Sequence, residues 1–137
     1  MFEDCENIKE IQFDNINTSQ VVNMDSMFNR CSNLTSLDLS NFDTHNVTNM
    51  SGMFDGCESL KKLDLIHFDT SNVEDMQKMF SGCESLTNLN INDWNVSKVE
   101  NMACMFNICK SLTTLNLGNW ETSNLSIHTK CSMAVPI

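Results

Sequence analysis

The pair Met-Phe recurs at a constant interval of 26 residues, at Met1-Phe2, Met27-Phe28, Met53-Phe54, Met79-Phe80 and Met105-Phe106. Three residues after each Phe stands a cysteine, giving Cys5, Cys31, Cys57, Cys83 and Cys109 in the same register. Three further on come Ile8, Leu34, Leu60, Leu86 and Leu112. A unit this short cannot bury its own apolar face, so units in register are expected to stack and merge their columns into one core. Residues 1–130 then form one domain of five units, 1–26, 27–52, 53–78, 79–104 and 105–130, and 131–137 is a C-terminal tail or truncated cap.

The unit 53–78 shows what each segment is expected to do. Leu60, Leu63 and Leu65 form L-x-x-L-x-L, and the alternation of the last two positions is that of a short strand. Three positions on, Ile16, Phe42, Phe68, Trp94 and Trp120 share a phase and are expected to stack inside. Asp69-Thr70-Ser71-Asn72 reads as a polar turn. Val73, Met76, Met79, Phe80 and Cys83 then fall at intervals of three or four, the spacing of one helix face. Ser71 with Glu74, and Ser97 with Glu100, read as capping boxes at the helix start. Gly56 and Gly82 read as its stop, although Arg30 and Ile108 hold that place in other units. The expected fold is therefore α/β: a leucine-rich-repeat-type solenoid of five strand-turn-helix coils, with a parallel sheet on one face and short helices on the other.

The pattern M-F-x-x-C-x-x-L-x-x-L-x-L-x-x-F-D-T-x-N-V-x-x-M, clearest in 27–50 and 53–76, resembles the BspA-like leucine-rich repeat surface proteins, which include repeats of many Mycoplasma lipoproteins. That resemblance implies a location on the cell surface or outside the cell, and adhesion to host or neighbouring proteins. It brings no catalytic residues. Phe42, Phe68, Trp94 and Trp120 stand where ordinary leucine-rich repeats place a buried asparagine.

Charge narrows the partners. With 18 acidic against 8 basic residues and a net charge of −10, the chain lacks the clustered Lys and Arg that a nucleic acid backbone demands. No run of about 18 apolar residues is present to insert into a membrane. The start, Met1-Phe2-Glu3-Asp4, lacks the basic and apolar regions of a secretory signal, which leaves a cytoplasmic location as the alternative. The first coil opens in full register with no polar cap, so it is expected to stack on further repeats or on another chain.

Chemistry is sparse. A linear ladder of five cysteines does not converge on a metal as zinc ligands must, and buried free thiols are expected. Cys104 and Cys131 lie off that phase and are the better place for a bridge. Asp38 and Asp64, or Asp43 and Asp69, recur one unit apart, but their columns also hold Gln12, Asn90, Asn17 and Asn95, which suits turn bonding more than a calcium site. His45, His67 and His128 fall at three different phases, and no polar cluster breaks the repeat. No enzyme, cofactor or metal site is expected.

A protein partner is therefore expected to bind where residues vary while the interior stays constant. The outward columns of the expected sheet supply that face: Ser36, Lys62, Asn88 and Thr114 in one, Asp38, Asp64, Asn90 and Asn116 in the next, and Ser40, Ile66 and Asn92 in a third. The expectation is a non-catalytic protein-binding module of a surface or adhesion protein, with an intracellular scaffold or spacer as the alternative.

Overall fold

A computed structural model describes residues 2–113 and 115–124. Two strands occur there, β1 (Glu10–Ile11) and β2 (Ser36–Leu37), which pair in parallel with Glu10 opposite Ser36 and Ile11 opposite Leu37. Isolated parallel bridges extend the same 26-residue register: Lys62 with Asn88, and Asn23, Asn49, Asp75 and Asn101 in succession.

The described residues contain no helix, which overturns the expected α/β solenoid of strand-turn-helix coils with helices on one face. The reason lies in the backbone donors. A helix sends every N–H to the carbonyl four residues back. From Met53 to Cys57 the donors alternate instead. Met53, Asp55 and Cys57 donate three residues back, to Met50, Gly52 and Phe54. Phe54 and Gly56 donate to the next unit, to the Met79 and Ser81 carbonyls at 2.9 and 2.8 Å. The segment is a run of tight turns whose every second N–H holds a neighbouring unit.

Two left-handed positions per unit make this alternation possible. Ser26, Gly52, Lys78 and Cys104 have φ of 54 to 59°. Four residues on, Asp4, Arg30, Gly56, Gly82 and Ile108 have φ of 57 to 76°. A residue at positive φ ends a right-handed helix, so apolar residues three and four apart face inward here by turning rather than by winding. Gly56 and Gly82 thus do adopt the left-handed conformation, but within a turn. The capping boxes fail with the helix: Ser71 N–H donates to Asp69 Oδ1 at 2.9 Å, and Glu74 N–H to the Thr48 carbonyl at 2.8 Å.

Asn and Asp side chains make the corners by accepting the N–H two residues on, the Asx turn. Asn17, Asp43, Asp69 and Asn95 do so in one column, Asn23, Asn49, Asp75 and Asn101 in a second, and Asp38, Asp64 and Asn116 in a third.

The core is a set of ladders along the stack. Phe2, Phe28, Phe54, Phe80 and Phe106 lie ring over ring, with centroids 5.6 to 5.7 Å apart and planes within 9°. Each such pair contributes about 0.5–1.5 kcal/mol beyond area burial. Phe68, Trp94 and Trp120 form a second stack at 6.4 to 6.5 Å, whereas Phe42 meets Phe13 edge-on at 5.0 Å. Leu34, Leu60 and Leu86 are fully buried, as are Met50, Met53, Met76 and Met79.

Polar ladders fix the register between units. Buried Thr18, Thr44 and Thr70 donate their hydroxyls to the carbonyls of Asp43, Asp69 and Asn95 at 2.9 to 3.0 Å. Thr18 and Thr44 also accept the N–H of Asp43 and Asp69, at 2.7 and 2.8 Å. Asn46 and Asn72 reach back to the carbonyls of Ser19 and His45.

Candidate interaction surface

The strand pair and the Lys62–Asn88 bridge set Ser36, Lys62 and Asn88 in one outward line, between inward Leu37, Leu63 and Leu89. All three outward side chains are exposed. Beside them Asp38, Asp64, Asn90 and Asn116 are exposed too, as are Ser40 and Ile66, while Asn92 is half-buried. Ile66 keeps 59% of its surface in solvent, the most of any large apolar side chain among the described residues. Thr114 lies outside the described residues.

These residues do not sit on the broad sheet expected for them, because only β1 and β2 and one bridge give that face ladder geometry. The structure divides them by duty. Asp38 Oδ1 accepts the Ser40 N–H at 2.9 Å, Asp64 Oδ1 the Ile66 N–H at 3.1 Å, and Asn116 Oδ1 the Gly118 N–H at 3.0 Å. Backbone and hydroxyl bonds from Ser40 hold the Asp38 carboxyl below the usual carboxylate range, so it stays ionised. These side chains shape corners. Ser36, Lys62, Ile66, Asn88 and Asn90 have side chains with no bond to the rest of the described residues, and they are the ones available to a partner.

Elsewhere the titratable groups serve the fold. Asp43 Oδ1 lies 2.6 Å from His45 Nδ1 and also accepts the His45 N–H; the His45 bonds lower the Asp43 carboxyl. Asp69 is lowered by the Ser71 hydroxyl and N–H. Cys31, Cys57, Cys83 and Cys109 are buried free thiols whose sulfurs lie 3.0 to 3.2 Å from the carbonyls of Phe2, Phe28, Phe54 and Phe80. Burial raises all four, Cys83 far above the ordinary thiol value and Cys109 to about 11, so none is a ready thiolate. Cys104 is disulfide-bonded, while Cys131 lies outside the described residues. Among the described residues no three His, Cys, Asp or Glu side chains converge as metal ligands. No helix there is long and apolar enough to cross a membrane.

Sequence reasoning missed the threonine ladder, although the column Thr18, Thr44, Thr70 is visible in the register. The signal was the recurrence of one hydroxyl residue at a constant phase beside an Asn or Asp. Two residues depart from these columns together, Val96 in the threonine column and Glu121 in the Asn/Asp column.

Residues 1–120 match the family described as Mycoplasma protein of unknown function, DUF285. No curated protein and no solved structure matches the chain.

Proposed function

The chain belongs to the DUF285 family, and on that premise we propose that it is a non-catalytic protein-binding module of a cell-surface protein, akin to the BspA-like surface repeat proteins and adhering to host or neighbouring proteins. The observation that carries this reading is the contrast between columns. The inward positions repeat Phe, Cys and Leu with almost no change, whereas the outward line runs Glu10, Ser36, Lys62, Asn88 and its neighbours include Asp64 and Ile66. A face freed from packing can vary to fit a partner. Ile66, exposed among polar residues of this face, offers an apolar anchor with a polar surround, the anatomy of a protein interface. The disulfide at Cys104 suits an oxidising exterior.

An intracellular scaffold is the second reading, and the five free cysteines among the described residues favour it. Protease shaving of intact source cells separates the two. Release of the chain while cytosolic markers stay inside is the expected result; full protection overturns the surface reading. Beads coated with the chain are expected to adhere to host cells, and beads coated with the Lys62→Glu/Ile66→Asp/Asn88→Glu variant to adhere several-fold less. Equal adhesion would remove this face from the account.

A further inference from the structure

The threonine rungs stop at one place. Thr18 and Thr44 each satisfy both the N–H and the carbonyl of a corner residue in the following unit, and Thr70 bonds the carbonyl of Asn95. The next member of the column is Val96, 3% exposed, whose methyls can neither donate nor accept. The corner residue that a threonine here would bond, 25 positions on, is Glu121, where the earlier units have Asn17, Asp43, Asp69 and Asn95. The longer Glu121 side chain makes no corner turn of the kind those four make, and its backbone N–H and carbonyl have no partner among the described residues. Two departures from the repeat thus meet at one spot, and a cleft of about 310 Å³ opens there, lined by Asn92, Asn95, Val96, Ser97, Asn119 and Glu121.

We propose that this cleft binds a single hexose-sized polyol, either a free sugar or the terminal sugar of a glycan. A sugar hydroxyl donates and accepts at once, as the missing threonine hydroxyl would have done. Glu121, Asn119 and Ser97 are among the residues that line the cleft, and a carboxylate, an amide and a hydroxyl make a mixed set of donors and acceptors. An anion is disfavoured by Glu121 and Asp93 in a chain of net charge −10. A bare cation is poorly served, because Asp93 Oδ1 already accepts the Asn92 amide at 2.8 Å and no third acidic or imidazole ligand joins it among the described residues. The volume sits at the lower end of the range of about 300–1,000 Å³ usual for ligand sites. Trp94 borders the cleft but its ring faces are occupied by Phe68 and Trp120, so the sugar gains no ring stacking and binds in the range of about 1 mM. Apart from Asn92, these residues lie outside the face assigned above to a protein partner, and the site does not depend on that reading.

The test is titration of the full chain with D-glucose, D-galactose and N-acetyl-D-glucosamine, each free up to about 50 mM and each coupled to serum albumin. Amide chemical shifts follow the free sugars, and surface plasmon resonance follows the conjugates. A saturable response to a free sugar identifies a free-ligand site, and a response to a conjugate alone identifies a glycan end; both support the proposal, and the absence of both overturns it. Val96→Thr supplies the missing rung, so it is expected to abolish binding while holding or raising the urea midpoint. Glu121→Gln and Asn119→Ala, at exposed positions, are each expected to weaken binding about tenfold without altering the fold. Binding undiminished in all three variants would place the sugar elsewhere and overturn the assignment.

Discussion

Gly82→Ala is a sharp probe of the turn architecture, because the fold constrains this glycine in two independent ways. Its φ is +69°, where an L residue with a Cβ pays about 1–2 kcal/mol. A Cβ there would also sit 3.3 Å from both the Cα and N of Gly56, backbone atoms that cannot swing aside as a side chain would. Opposing these, alanine restricts the unfolded chain and returns about 0.4–1 kcal/mol. The backbone contact tips the balance, and a net destabilisation of about 1–2 kcal/mol is expected. With a urea slope near 1.5 kcal/mol/M, the midpoint falls by about 1 M. Tryptophan fluorescence reports the transition, since Trp94 and Trp120 stack across the last two units. Gly118→Ala is the matched control: it has no left-handed φ, and its Cβ would meet only the Asn116 side-chain oxygen at 3.2 Å. Its midpoint is expected to move by less than the equivalent of about 0.5 kcal/mol. Equal midpoints for the two variants would refute the reasoning, and with it the claim that left-handed turns replace a helix.

Three further outcomes follow from the ladders. Thr44→Val keeps the shape that Val96 shows to be tolerated, but strips the Asp69 N–H and carbonyl of their partner; a loss of about 1–3 kcal/mol is expected in urea unfolding. Iodoacetamide at pH 8 is expected to spare Cys31, Cys57, Cys83 and Cys109 in the folded chain and to label half-buried Cys5 first, as read by mass spectrometry; rapid labelling of Cys83 would contradict its burial. Asp38, Asp43 and Asp69 have carboxyl groups lowered by local hydrogen bonds, so their contribution is fully present above about pH 4 and is lost as pH falls through the lowered values. The urea midpoint is expected to drop on acidification below that point, and the triple Asp→Asn variant at these positions, which retains the corner acceptors, to show a flatter profile.

The inward positions were legible because each recurs every 26 residues with the same chemistry: Phe28, Phe54 and Phe80, Cys57 and Cys83, Leu60 and Leu86 are all buried as their columns imply. The register was legible for the same reason, and it reappears in the parallel bridges from Asn23 to Asn101. The exposed positions of the candidate face could be read as outward, but not that Asp38, Asp64 and Asn116 would be spent on corners while Lys62 and Ile66 stayed available. The helix from Val73 to Cys83 was misread because spacings of three and four mark an inward-facing stripe without saying how the backbone produces it. The left-handed column of Ser26, Gly52, Lys78 and Cys104 leaves no trace in residue type.

The sequence by itself determined which side chains form the interior and at what interval they meet, since burial of apolar columns depends only on their chemistry and period. Tertiary structure decided whether the segments between them become helices or turns. The deciding partners, such as the Met79 carbonyl for Phe54 and the Ser81 carbonyl for Gly56, lie 25 residues away, and they compete for the same N–H groups that a helix would use locally.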